Sequence, residues 1–594
     1  MATHSQKINN QQVRKHMHYN MVKRASRAYL EEISNKAHEM PEVYKCINTL
    51  QQTAFKMNVP VYQVMKAVYQ KKLPIAGLPS HKLPEIPKPF DIATNEVARK
   101  EYSRKARPVF DFNATVDSKK ILTDKIFNVA DTYEQFQEFY FPLQYDWRGR
   151  IYCVPEGLNY QQNDLAKGLL LFRYGKKIGS QSAVDKLKIH GANMFGLDKD
   201  TLENRMKWVD DNEKYIIQSA EEPHSHYEFW AEASEPAQFL AFCFEWNDFV
   251  KSGKSLNFVT NLICYSDCTN SGLQIFSALL KDETGGEAVN LIPSDTVQDV
   301  YGEVANATID LLEAEPDSQL KTMWLKYGIN RKTTKKVTMC IVYGLTQFKA
   351  RAYLQEHLEE MQEDGIKDIP FSTDRNPIPG VPNIFKATSF LAKFVWKALG
   401  EVIVSAKDAM KWLQETSKLV SENGLPVVWT TPTGFIVQMV CPVLETKRVN
   451  TNMGQKIWRP KLNKWVDDVR KTTIAIETSK INKNKVANSI APCFVHSLDG
   501  AVLQKAVCIA KDKGIDNFAC VHDSFGVLAT DVGLMNQSLR EAFVEIFDGK
   551  NLLEDFKDEI VPQINKDNRH KLKPTPTQGS LDIKQVLESQ YFCS

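Results

Sequence analysis

The spacing of apolar and polar residues changes several times along the chain. Between residues 25 and 72 apolar side chains recur at helical spacing, in AYLEEI and again in VYKCINTLQQTAFKM. Pro74, Pro79, Pro84, Pro87 and Pro89 then predict a stiff extended connector after Lys72. Within residues 90–255, FPLQYDWRGRIYCV reads as strand and LKIHGANMFG as the start or end of a helix. NFVTNLICYSDC predicts a buried strand, and SGLQIFSALLKDETGG a helix from Ser271 to a stop at Gly285 and Gly286. Ser294 is the expected N-cap of a helix through VYGEVANATIDLLEAE, and NRKTTKKVTMCIVYG predicts another helix. A proline-rich break, RNPIPGVPN, precedes a long amphipathic helix over about 384–422, and VVWTTPTGFIVQMV predicts a hairpin. Near the end, VHDSFG joins two short apolar runs, FACV and FGVLAT, which read as paired strands with a tight turn. The elements predict a mixed α/β, helix-rich fold without internal repeats.

At 594 residues the chain is long enough for several subdomains. Its net charge of +3 says little about partners, but the distribution says more: from Lys321 to Arg351 there are eight Lys or Arg and no Asp or Glu. Residues 446–485 carry eleven basic side chains against three acidic ones. The first thirty residues are basic and free of acids, which fits a nucleic-acid-contacting arm and permits an organellar transit peptide. Eleven cysteines without a CxxC pair predict reduced thiols rather than a disulfide framework or structural zinc. No apolar run reads as a membrane span.

Two isolated carboxylates carry the candidate chemistry. Asp267 ends one predicted buried strand and Asp523 ends another, and a buried charge needs compensation. Taken singly, each reads as a turn or N-cap residue. Taken together, they suit divalent cations supporting an in-line phosphoryl transfer. On the helix beginning at Arg331, that residue and Lys335 lie about 40° apart, while Tyr343 sits about 12 Å further along the axis. Cations at one end and a phenol at the other match the length of a nucleoside triphosphate. The competing reading is a solvated basic face. His522 and His496 read singly as ordinary supporting histidines, and Trp458 and Trp465 as hairpin core.

SDCTNSGLQIFSALLKDETGGEAVNLIPSDTVQDVYG, RKTTKKVTMCIVYG and VHDSFG, in this order, closely resemble motifs A, B and C of the single-subunit phage-type DNA-dependent RNA polymerases, the family of T-odd phage and mitochondrial enzymes. DWRGRIY, KIHGAN, IAPCFVHSLDG and LDIKQVLESQYF are similar to the same family, and the likeness runs from about Met40 onward. The resemblance implies a right-handed polymerase cup. It implies that Asp267 and Asp523 hold two Mg²⁺ ions, that Lys335 contacts the triphosphate and acts as general acid, and that Arg331 lies on the phosphates. Tyr343 is implied in ribose selection and translocation, His496 near the ribose 2′-OH, Lys199 and Arg205 near the incoming phosphates, and Arg148 and Arg150 on the template and hybrid backbone. Trp458, Arg459 and Lys461 then belong to a hairpin that reads promoter bases.

The implied division is an N-terminal arm, partial thumb and connector over 1–90, palm with motif A over 91–320, fingers over 321–425, and palm with the specificity-type hairpin (446–485) and motif C over 426–594. The chain departs from the family pattern at Cys268, where Gly is typical, at Thr269 and Asn270, and at Ile275, where His is common. Family members carry several hundred further residues ahead of the thumb. The expected function is therefore DNA-templated RNA synthesis from NTPs by the catalytic chain of a viral transcription enzyme. Expected partners are template, product and a second chain supplying promoter recognition and melting, in the cytoplasm of an infected bacterium or, alternatively, an organelle matrix. A family A-like DNA polymerase and a non-catalytic nucleic-acid-binding subunit are the competing functions.

Overall fold

Side-chain caps set many of the helix starts. In the computed structural model, which describes residues 20–342, 344–363, 369–372, 381–459 and 464–593, Ser180 caps α1 (Gln181–Phe195) and Thr201 caps α2 (Leu202–Asp211). Their packing is aromatic: Phe195 lies 4.5 Å from the Trp208 ring and 5.1 Å from Phe239. The short connection between α1 and α2 is thereby held in place.

A three-stranded antiparallel sheet lies beside these helices, formed by β1 (Cys264–Asp267), β4 (Ala519–Val521) and β5 (Ser524–Val527) in the order β4-β5-β1. Ser524 pairs with Asp267 and Val527 with Cys264. Cys264, Tyr265, Cys520, Phe525 and Val527 are buried, so the register is fixed by which residues the core accepts. Next come α3 (Ser271–Leu280), α4 (Val300–Glu313) and α5 (Arg331–Ile341). Most of the basic 446–485 region lies in a long antiparallel ribbon, β2 (Pro442–Arg459) and β3 (Lys464–Ile481), while Lys483 and Lys485 already belong to the next helix.

The spine is α6 (Lys483–Asp512), which packs on α3, on α7 (Val532–Phe547) and on the helices Pro41–Gln51 and Val404–Ser421. It is long and apolar enough to cross a membrane by composition, contrary to the sequence reading, but 83% of its apolar stretch is buried inside the protein. Pro492 lies within α6 and lacks the N–H that would bond the Asn488 carbonyl. Gly344, at φ +75°, approaches that same carbonyl so closely that an added Cβ would sit 3.0 Å away. The loop after α5 thus packs against α6 where the helix lacks a hydrogen bond.

Several boundaries differ from the sequence reading. TAFKM is not helical: Phe55–Met57 is a strand paired with Leu170–Phe172. The helix from Ser271 stops at Leu280, and Gly285 and Gly286 lie inside a second helix, Glu283–Ala288, capped by Asp282. Asp299, not Ser294, caps α4, because Ser294 is occupied in a local turn with Thr296 and Gln298. The 384–422 helix divides at Ile403 into Ile384–Val402 and Val404–Ser421. The thiols are not all reduced: Cys268 and Cys593, 325 residues apart in sequence, form a disulfide. Cysteine spacing carries no sign of such a long-range pair.

Gly526 lies in β5 where an added Cβ would meet the Ala519 carbonyl oxygen at 2.7 Å, and Ile263 and the Tyr265 ring at 2.8 Å. Gly526→Ala is expected to destabilise the fold by about 1–3 kcal/mol. Denaturant unfolding checks this, and an unchanged midpoint would show that the sheet is looser than described.

Candidate active site

Antiparallel pairing brings the two sequence-distant carboxylates together. Val521 pairs with Ser524, so only His522 and Asp523 form the turn, and His522 takes the left-handed conformation at φ +56°. On the neighbouring strand Asp267 lies opposite Ser524, and the ladder continues as the Cys268 N–H donates to the Asp523 main-chain oxygen at 3.1 Å. Ser271, first residue of α3, donates its hydroxyl to Asp523 Oδ2 at 2.9 Å. Both carboxylates therefore sit at one end of the sheet. Ser271 fixes the orientation of one of them.

Asp267 is open to solvent, yet protein surrounds it closely. This crowding, followed by the charge of Asp523, pushes its carboxyl up to about 7, against the opposing pull of Lys199 and Lys167. Two carboxylates held this close leave negative charge that a cation can satisfy. Among the described residues no group of three or more His, Cys, Asp or Glu side chains forms a self-sufficient metal site. Two hard carboxylates instead fit an ion that draws its remaining ligands from substrate and water.

The basic helix faces the same space. Asn330 and Thr333 form a capping box at the start of α5. Thr333, Thr334, Val337, Thr338 and Ile341 are buried, and the Thr334 hydroxyl donates to the Tyr301 carbonyl at 2.7 Å, docking α5 on α4. Lys335 is left open to solvent. Desolvation by the surrounding protein, then Arg331, lowers its pKa, with Lys199 adding to the shift and Asp198 and Asp267 opposing it. Lys335, Lys199 and Asp267 thus share one electrostatic field. Arg331 is tethered by Asp299 at 2.9 Å and lies 5.1 Å over the Tyr301 ring. Part of the acid-free basic stripe is paired from outside it, as with Lys336 and Glu356 at 2.8 Å.

Other predicted residues hold the site together. Arg205 is completely buried and donates to the carbonyls of Asp198 and Asp200 and to Asn193 Oδ1, at 2.9–3.0 Å. These bonds hold the loop that presents Lys199. Arg150 forms an ion pair with the buried Asp499, its Nε 3.0 and 3.1 Å from the two carboxylate oxygens, so its guanidinium is engaged within the protein. Arg148 clasps Asp146 and contacts His496 Nδ1 at 2.8 Å. Arginine only donates, so Nδ1 accepts and Nε2 carries the imidazole proton. Burial, then Arg150 and Arg148, pushes His496 down to about 2, so the ring is neutral. Burial likewise lowers His522 to about 3, and its ring meets Tyr152 edge-on at 4.9 Å.

Trp458 and Arg459 lie in β2 opposite Trp465 and Lys464, and Trp465 is exposed. Tyr343 and Lys461 fall outside the described residues. Sequence reasoning missed Ser271, Asp499 and Lys167. Ser271 had a usable signal, a hydroxyl at the start of the helix following Asp267. Lys167 had none, because tertiary folding alone sets it 4.9 Å over the Tyr265 ring, two residues before Asp267.

A family profile described as "DNA-dependent RNA polymerase" matches residues 176–571. The chain is 34% identical to the DNA-directed RNA polymerase of Enterobacteria phage T3 and 34% identical to the T7 RNA polymerase of Escherichia phage T7, each match covering 93% of this chain and 64% of the relative. It is 29% identical to the chloroplastic/mitochondrial DNA-directed RNA polymerase 2B of Nicotiana tabacum, over 96% of this chain and 52% of that one. The chain therefore spans less than two thirds of the length of these relatives.

A carboxyl whose pKa rises on folding binds protons more readily in the native state, so stability falls as pH climbs from the ordinary value of 3.8 to about 7. Above that range the deficit is fully present. In chelator, Asp267→Asn is accordingly expected to raise the thermal midpoint at pH 8, with the gain vanishing below about pH 4. A gain equally large at both pH values would contradict this origin.

Proposed function

The chain belongs to the DNA-dependent RNA polymerase family, in its single-subunit phage and organellar branch, and from that membership we propose that it copies a DNA template into RNA from NTPs. The observation that carries the proposal is the pairing of Asp267 beside Asp523, with Lys335 and Lys199 in the same field. Asp267 and Asp523 would hold Mg²⁺, which when bound lowers the pKa of the attacking 3′-hydroxyl and neutralises charge on the transferred phosphate. Ser271 keeps Asp523 turned toward that position.

Lys335 and Lys199 bind the triphosphate, while Asp299 holds Arg331 beside them. The lowered pKa of Lys335 eases proton donation to the departing pyrophosphate. His496, neutral and with its proton on Nε2, is suited to meet the ribose 2′-OH, and Arg148 sets its orientation. Tyr343 would act in sugar selection. The β2–β3 ribbon, with Trp458, Arg459 and Lys461, would read promoter DNA, and its phosphate contacts would weaken with salt. In domain terms, residues 1–90 contain the arm and partial thumb, 91–320 the first part of the palm, 321–425 the fingers and 426–594 the rest of the palm.

The higher identity to phage than to plant relatives favours the cytoplasm of an infected bacterium.

Extension of a primed template with Mg²⁺ and either NTPs or dNTPs tests the activity: NTP incorporation is expected, and preferential dNTP incorporation would identify a DNA polymerase instead. Asp523→Ala should abolish extension while DNA binding persists, so substantial residual extension would refute the metal-binding role. Lys335→Ala should lower kcat on the order of a hundredfold, as expected for loss of a general acid; an unchanged kcat would remove it from the chemistry.

A further inference from the structure

The segment around Leu581–Cys593 packs against the strand end that carries Asp267. The Phe592 carbonyl accepts from the Thr269 N–H at 3.4 Å and from Gln274 Nε2 at 3.1 Å, and the Tyr591 carbonyl accepts from the Thr269 hydroxyl at 3.3 Å. Phe592 is buried, its ring 5.1 Å from that of Phe543, and Arg540 Nη2 donates to the Ser589 carbonyl at 2.7 Å. These contacts set Cys593 opposite Cys268 in an antiparallel bridge, with Cα atoms 4.1 Å apart and the sulfurs bonded. Cys268 directly follows Asp267, and its N–H donates to the main-chain oxygen of Asp523 at 3.1 Å. A covalent tie at Cys268 therefore restrains the backbone that spaces the two carboxylates.

We propose that Cys268 and Cys593 form a reversible, redox-sensitive crosslink that preorganises the Asp267–Asp523 pair for a divalent cation. The consequence for cation binding rests on the proposed function above, whereas the crosslink itself does not. The other nine cysteines are free, and seven of them are buried, where thiols react poorly. Cys268 is partly exposed and Cys593 fully buried, which sets the order of reaction. The Cys268 thiolate attacks a low-molecular-weight disulfide, forming a mixed disulfide and releasing one small thiolate. The Cys593 thiolate then attacks the Cys268 sulfur, and the second small thiolate leaves. The protein thiols lose two electrons and two protons, the small disulfide gains both, and a reducing dithiol reverses the exchange.

The full chain is equilibrated with oxidised glutathione or with dithiothreitol, its free thiols are counted after denaturation, and its affinity for Mn²⁺ alone is read by electron paramagnetic resonance. Nine thiols are expected after oxidation and eleven after reduction, with a 268–593 linked peptide in the oxidised digest. Reduction should weaken Mn²⁺ binding about threefold, short of the tenfold or more typical when an outer-sphere partner is removed. Cys593→Ser should show the weaker affinity in both redox conditions, and it carries the test if Cys268→Ser fails to fold. Eleven thiols after oxidation, a bridge between other cysteines, or equal Mn²⁺ affinity in the two states would overturn the proposal. A redox-dependent Mn²⁺ affinity in a chain that makes no RNA would support the crosslink and overturn the proposed function.

Discussion

Two carboxylates of like charge, held side by side by β-sheet pairing, are the constraint on which the site depends. Asp267 and Asp523 lie on strands that the hydrophobic core will accept in one register only, so neither can move away from the other without exposing Tyr265, Phe525 or Val527. Their repulsion is built into the fold. Ser271 and the Cys268 N–H hold the turn residue in place, and Lys199, Lys167 and Lys335 supply positive charge around the pair without neutralising Asp267 completely.

Outside this pair, the charged groups divide into those that hold and those that remain available. Arg205, Arg150 and Arg148 are tied into the protein by carbonyls, Asp499, Asp146 and His496, and Arg331 by Asp299. Lys335 is exposed to solvent, as is Lys199, whose only ion pair among the described residues is with Asp198 at 3.0 Å. The division has a physical basis: a planar guanidinium with five donors suits a multi-point brace, whereas a lysine ammonium acts as a point charge that can approach a substrate. The neutral imidazoles of His496 and His522 fit the same pattern, because burial beside Arg148 and Arg150 disfavours further positive charge.

Much of this was legible in sequence, for reasons particular to each element. The β4–β5 turn follows from short apolar runs flanking VHDSFG, and α5 follows from Asn330 and its apolar face. The mutual position of Asp267 and Asp523 was legible only through resemblance to a family, since no local rule pairs strands more than 250 residues apart. Asp299 displaced Ser294 as a cap because both are competent, and only folding shows which meets the helix N-terminus. The burial of Arg205 was not legible, because sequence records its charge and the resemblance its position, but neither its surroundings. Lys167 and the Cys268–Cys593 bond depend wholly on tertiary approach.

The central claim is that the two strand-end carboxylates form one cation site against which a nucleoside triphosphate lies. Anomalous scattering from crystals grown with Mn²⁺, a primed template and a non-hydrolysable NTP measures it most directly. A peak within about 2.2 Å of oxygens from both Asp267 and Asp523, with the triphosphate extending toward Lys335, is the predicted result. Mn²⁺ bound elsewhere, with both carboxylates free of metal in the presence of the nucleotide, would contradict it.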